Sequence, residues 1–384
     1  MKKNSIILSL MLLLLFLFSL SFLNLTGYIY SIIILIYLMT NNNKKVDVNF
    51  IIIILFSIFY FINYSLNFGI TAQSVIIYLL SPWSSYLISK TLVEKNNNKV
   101  YFYILYALML GFFAHGILNL NTYLNIYGLN YNWRISYDFW RKEISSVTCN
   151  GLYFTPIFSY SVGYLFFGES KKNRLFCILA IILSIYASII YRNRTLILIG
   201  IILVCISSGI ILLSKNEKNI YKKIKLIIIS LFVIFSFFAL NGNLYISNLD
   251  VFKRMTSDND STRLQLWIDF LKKNPFKYLI GGQNLYLKAD WVHNMWLDVL
   301  YKVGLLPFIT LTYFSLKTLV ADIKLIYNSI KINSNKYRCY YILFIGEFIN
   351  CMVEPVIDAN PYIFIFFIIL SGFILNLYKK KKME

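Results

Sequence analysis

The 384 residues are 58% hydrophobic and only 14% charged, with 31 Tyr and 32 Phe. A water-soluble domain carries roughly 25% charged residues, so this composition excludes two or three soluble domains. The net charge of +20, from 37 Lys and Arg against 17 Asp and Glu, suits either nucleic acid or a membrane protein with basic inner loops, and its placement decides between them.

Apolar runs of about 18 residues or more mark membrane-spanning helices. About twelve are predicted, at 5–23, 28–40, 50–67, 71–89, 100–119, 150–168, 175–191, 195–213, 225–241, 295–318, 339–356 and 361–378. Met1-Lys2-Lys3 followed by Ser5 to Phe22 resembles a signal peptide. It lacks a convincing small-residue cleavage site, and Tyr28 to Thr40 follows at once, so an uncleaved first span is expected. With the amino terminus inside, every second loop is basic: Lys2-Lys3, Lys44-Lys45, Lys90/Lys95/Lys99, Lys171-Lys172/Arg174, the 215–225 cluster, Lys324 to Arg338 and Lys379–Lys382. The opposite loops are 24–27, 68–70, 120–149, 191–195, 242–294 and 357–360. Both termini are then cytoplasmic, and most of the charge is explained without nucleic acid.

The expected fold is an all-α polytopic integral membrane protein, a single domain over 1–384 with a large, partly helical outer loop. Cys149, Cys177, Cys205, Cys339 and Cys351 are scattered singly and suit core packing better than a disulfide or metal site. Of the two long outer loops, 120–149 is aromatic and basic, with Trp133, Arg134, Tyr137, Trp140, Arg141 and Lys142. In the other, 242–294, Asp260 or Ser261 can cap a helix in which Leu264, Trp267, Ile268 and Leu271 recur at helical spacing. Asn274-Pro275 ends it. Arg263 and Trp267, four apart, share a face of that helix.

The outer charges bear on chemistry. Arg192 and Arg194 stand in one tight turn, Tyr191-Arg192-Asn193-Arg194-Thr195. They either snorkel to the membrane surface or hold an anion between them, and the forked guanidinium suits phosphate. Arg254 is a further substrate-binding candidate in the larger loop. His293 stands where that loop re-enters the membrane and is suited to proton abstraction near neutral pH. His115, inside span five, is expected to pack helices instead. Asp298, Glu347 and Glu354 are acidic groups at membrane depth, which are costly there. They serve as counter-charges to the arginines, as orienters of His293 or as structural support, with support favoured. No Walker loop, HExxH helix or His/Cys cluster occurs, so neither a metal nor a cofactor is expected.

Four segments in order resemble the O-antigen polymerase and O-antigen ligase superfamily: Arg192-Asn193-Arg194-Thr195 opening a span; Ser261-Thr262-Arg263-Leu264-Gln265-Leu266-Trp267 with Asn274-Pro275-Phe276 and Gly281-Gly282; His293-Asn294-Met295-Trp296-Leu297-Asp298 with Gly304-Leu305-Leu306; and Glu354-Pro355. The resemblance covers residues 190–378. The family more often has Gly or Ser where this chain has Asn193, which leaves the choice between Arg192 and Arg194 open. It implies transfer of a glycan from undecaprenyl diphosphate to a sugar hydroxyl of a second lipid-linked unit at the outer face of the plasma membrane. In that reading His293 is the base, and Arg194 and Arg263, with Arg192 assisting, clamp the diphosphate. Arg134, Arg141, Arg254 and Asn294 contribute to substrate binding, while Trp133, Tyr137, Trp140 and Trp267 stack on sugars or form an interfacial belt. Implied partners are the lipid-linked donor and acceptor, membrane lipid, a chain-length regulator and a flippase. The alternatives are a ligase of the same superfamily and a lipid-linked oligosaccharide transporter, although the 242–294 loop and the absence of internal repeats suit transport poorly.

Overall fold

The computed structural model describes residues 2–40, 46–94, 98–128, 135–214, 262–281, 291–332, 335 and 337–383. The predicted span 225–241, much of the 242–294 loop, and the candidates Trp133, Arg134 and Arg254 lie outside the described residues.

α1 (Lys2–Ser19) and α2 (Thr26–Thr40) are joined by a short 3₁₀ turn. α3 (Val48–Phe68) is capped by Asp47, whose carboxylate accepts the Phe50 amide at 2.9 Å. A turn at Ala72–Ser74, a π-helical stretch Val75–Leu80 and α4 (Ser81–Glu94) then run on as one segment. α5 (Asn98–Tyr127) continues eight residues into the predicted loop 120–149. The rest of that loop folds as an antiparallel hairpin, β1 (Ile135–Tyr137) with β2 (Ile144–Ser146). α6 (Val147–Leu152) and α7 (Thr155–Phe167) divide the predicted span 150–168, and Pro156 sits in the first turn of the second piece, where its missing amide costs nothing. α8 (Lys171–Ile190) and α9 (Arg194–Leu213) follow, then α10 (Thr262–Lys272).

The predicted span 295–318 is two helices, α11 (Met295–Val303) and α12 (Leu305–Lys331). Gly304 separates them at φ 89°, and a Cβ there would meet the Leu279 carbonyl oxygen at 2.2 Å, so only glycine allows the crossing. Side chains of α3 meet carbonyls from both sides of the crossing: Asn63 Nδ2 donates to Val303 O at 2.6 Å and Leu279 O at 3.1 Å. One turn on, Asn67 Nδ2 donates to Lys302 O and Ile280 O, both at 2.9 Å. α13 (Arg338–Val353), α14 (Val356–Ala359) and α15 (Pro361–Met383) complete the described chain.

The described chain is therefore all-α apart from one hairpin. Among the described residues six helices, α3, α5, α8, α9, α12 and α15, are long and apolar enough to cross a membrane. This is the architecture of a helical membrane protein. α15 forms its core, with Tyr362 to Leu370 buried against α4 and α12. α8 turns Leu175, Leu179, Ile182 and Tyr186 outward, the face that a bilayer covers. One end of the bundle gathers Lys90, Lys171-Lys172, Lys324, Arg338 and Lys379–Lys382; the other gathers the hairpin, the 191–195 turn, α10 and α11.

Candidate active site

α13 stops at Val353 because Pro355 forces the residue before it out of the helical region, and Glu354 is extended at φ −134°, ψ 151°. The carboxylate so delivered is 1% exposed and gathers three elements. Its Oε1 accepts from Thr195 Oγ1 at 2.9 Å and from Arg263 Nη2 at 2.8 Å. Its Oε2 faces His293 Nδ1 at 3.9 Å. That gap is too long for a hydrogen bond, and among the described residues both atoms are otherwise without a hydrogen-bond partner. Arg263 and His293 are 30% and 31% exposed, so both can meet a ligand.

His293 takes a left-handed backbone at φ 58°, a strained choice for a histidine. The surroundings enforce it. Asp298 accepts the Val292 amide at 2.6 Å and the Asn294 amide at 3.1 Å, holding the chain on both sides of the histidine. Trp267 Nε1 donates to Val292 O at 2.7 Å. Asn294 caps α11 by accepting the Trp296 and Leu297 amides, both at 3.1 Å, and donates Nδ2 to Met352 O at 2.9 Å, an unpaired carbonyl at the end of α13. Arg263 and Trp267 thus act from one face of α10, the first on Glu354 and the second on the His293 segment. Phe270, one turn further, is buried with Val292 and Leu300. Leu264, Ile268 and Leu271, which recur with Trp267 at helical spacing, are exposed, and the face turned inward carries Arg263, Trp267 and Phe270.

Arg194 opens α9 beside Thr195, at the positive end of the helix dipole. Asn193 caps α9 by accepting the Thr195 amide at 2.9 Å. Its side chain packs against Gly151, where a Cβ would meet Asn193 Nδ2 at 2.0 Å. Arg192 is half-buried on the other side of this cap, at φ 53°. Of the acidic candidates, Glu354 is both counter-charge to Arg263 and neighbour to His293. Asp298 braces the backbone on both sides of the histidine. Glu347 is fully buried in α13 and has no hydrogen-bond partner among the described residues. Thr195 was not singled out from the sequence, where a polar residue opening an apolar span was its only signal.

The second histidine lies in a closed cluster. His115 is fully buried, its ring 4.2 Å from that of Tyr153 and its Nε2 3.2 Å from Asp138 Oδ2. Asp138 Oδ1 accepts the Trp140 and Arg141 amides at 3.0 and 2.9 Å. Asn119 accepts the Phe139 amide and donates to Asn150, which in turn donates to Ser136. Burial pushes the Asp138 carboxyl up, but the His115 contact, the Arg141 amide and the nearby positive charges outweigh it and hold the group down at about 2. The hairpin is thereby fastened to α5, and Arg141 is laid over the Tyr362 ring, 5.5 Å from its centroid. Burial pushes the Cys149 thiol up to about 11; Glu354 adds to the rise and Arg141 opposes it, so both groups stand within electrostatic reach of one thiol. Tyr137 is half-buried in β1 opposite Ile144.

Comparison with protein-family models and with curated proteins finds no match to this chain. The described residues contain no cluster of three or more His, Cys, Asp or Glu able to hold a metal.

Proposed function

We propose that the protein is a membrane glycan polymerase, which transfers a growing saccharide from a polyprenyl diphosphate to a sugar hydroxyl of a second lipid-linked unit. The reading includes about twelve spans, cytoplasmic termini and a site on the outer face. The observation that carries it is the meeting of Arg263, His293 and Glu354, with a histidine nitrogen and a carboxylate oxygen facing each other unpaired at 3.9 Å.

In this reaction the acceptor oxygen attacks the donor's anomeric carbon. The bond from that carbon to the diphosphate oxygen breaks, its electron pair leaves with the diphosphate, and the hydroxyl proton passes to His293. A proton on Nδ1, turned toward Glu354, leaves Nε2 free to act as base; catalytic contacts of this kind are commonly long before substrate binds. Arg263 and Arg194 stabilise the departing negative charge. Glu354 keeps Arg263 in place and withdraws part of its charge, so Arg194, beside the Thr195 that also binds Glu354, carries more of the diphosphate than Arg192. The exposed row Leu264, Ile268 and Leu271 lets α10 rest on lipid, where a polyprenyl chain leaves the bilayer.

The test is a glycan ladder from purified protein given its native lipid-linked repeat unit. Wild type should build the ladder and His293→Ala should leave single units. A folded wild type that makes no ladder from repeat units alone, but does transfer glycan to an added lipid acceptor, would replace polymerase by ligase. No release of polyprenyl diphosphate under either condition would end the enzymatic reading.

A further inference from the structure

The end of the bundle away from Glu354 holds a cavity of about 390 Å³ between the start of α3, the middle of α12 and the end of α15. Its polar lining is Asp47, Asn49, Lys317 and Lys379; Ala321 and Leu375 make an apolar wall.

Lys317 lines this space from α12. It lies twelve residues beyond Leu305, about 18 Å along α12 at 1.5 Å per residue, within a helix long and apolar enough to cross a membrane. An ammonium at that depth is costly unless it reaches a polar group. Its ammonium lies 5.6 Å from the centroid of the Tyr313 ring, and no carboxylate lies within 4.0 Å of it among the described residues. The cavity is the polar space open to it.

Asp47, the only carboxylate in the lining, is already engaged: it caps α3, accepts from Tyr86 Oη at 3.2 Å and pairs with the buried Lys90 at 3.0 Å. Lys90 also meets Glu94, at 4.0 Å and outside the lining. Lys379 is 3.9 Å from Asp47 and 55% exposed. Lys317 and Lys379 therefore leave the space with a positive excess, and Lys324, over the Tyr378 ring in the same wall, adds to it. A third observation is independent of charge: Asn49 Oδ1 is buried there without a hydrogen-bond partner. That carbonyl suits a hydroxyl donor.

We infer that this cavity binds the headgroup of an anionic glycerophospholipid, its phosphate on Lys317 and Lys379, a headgroup hydroxyl on Asn49 Oδ1, and the first part of an acyl chain on Ala321 and Leu375. Free phosphate shares the anionic chemistry but makes no use of the apolar wall. The site does not depend on the catalytic reading, and its test needs no turnover.

Detergent-purified, delipidated full-length protein is titrated with phosphatidylglycerol or phosphatidylcholine, and bound lipid is counted by native mass spectrometry. Wild type should retain phosphatidylglycerol at least about tenfold better than phosphatidylcholine. Lys317→Gln/Lys379→Gln should lose that preference, while Lys171→Gln/Lys172→Gln, an equal charge change on exposed residues at the same end of the bundle, should keep it. Equal retention by wild type and the Lys317/Lys379 variant would overturn the site. Loss of preference in both double variants would reduce it to an effect of net charge. Displacement of the lipid by millimolar inorganic phosphate would overturn the lipid assignment in favour of a simple anion site.

Discussion

His115 and His293 each stand beside a carboxylate, and the two surroundings differ in what a ligand can reach: the first side chain is fully buried, the second about a third exposed. Around His115, Asp138 is contacted by the histidine, two backbone amides and an asparagine, and the whole cluster is buried. Around His293, the carboxylate spends one oxygen on Arg263 and Thr195 and leaves the other across a 3.9 Å gap, beside two side chains that are about a third exposed. The closed cluster fastens a hairpin, and its imidazole nitrogens, buried with the rest of it, find no hydrogen-bond partner among the described residues. The open one keeps part of the His293 ring and the Arg263 charge within reach of something that binds, with Nδ1 and the Glu354 Oε2 buried behind them, and a fold can maintain such an arrangement only by bracing it from behind, as Asp298, Asn294 and Trp267 do.

The comparison breaks most sharply at His293. His293→Ala should lower glycan transfer by about 10²–10⁴, the usual contribution of a positioned acid or base, with a melting temperature close to wild type; a ladder of normal length would remove it as the base. Glu354→Gln should cost less in rate, roughly 10–100-fold. It keeps a hydrogen-bond acceptor for Arg263 and Thr195 but loses the charge facing His293, so the double variant with His293→Ala should lose no more activity than His293→Ala alone; fully additive losses would separate Glu354 from the histidine. His115→Ala should reverse the pattern, with stability falling by about 1–3 kcal/mol and activity per folded molecule nearly unchanged. A folded but inactive His115→Ala protein would show that the closed cluster also belongs to the site.

The smallest effect concerns acid. The folded-state value of Asp138 lies below the unfolded value near 3.8, so the stabilisation it supplies is complete above about pH 4 and is lost as pH falls through about 2. Its size is on the order of 2 kcal/mol. Thermal unfolding in detergent between pH 2 and 5 should show that loss in wild type and not in Asp138→Asn; parallel curves would mean that the carboxylate is not held as the cluster implies.

The helices α3, α5, α8, α9 and α15 were legible because a span is a continuous apolar run, and hydropathy reports it directly. The breaks were not. Gly304 and Tyr153-Phe154 lie within runs that stay apolar, and what ends the helix at Gly304 is a backbone crossing served by Asn63 and Asn67, residues more than 200 positions away in sequence. Within the candidate site, Arg263, His293 and Glu354 could be singled out by chemical type. Their division of labour could not, because Asp298 and Glu354 read alike as acids near a histidine until the backbone shows one gripping amides and the other facing the ring. Thr195 was missed for the same reason: a hydroxyl that opens a helix gains meaning only from the carboxylate a distant chain break sets against it.

Asn294 ties the first turn of α11 to the Met352 carbonyl near the end of α13 through one side chain, and His293 and Glu354 adjoin those same two helix ends. Vibration or tilting that carries both helices together is common-mode and leaves the separation between the ring and the carboxylate untouched. Only relative sliding changes that separation, and sliding must first stretch the amide link. The gap is thus insulated from the breathing of the bundle, which lets a site with exposed side chains keep a dimension set to within a hydrogen bond's tolerance.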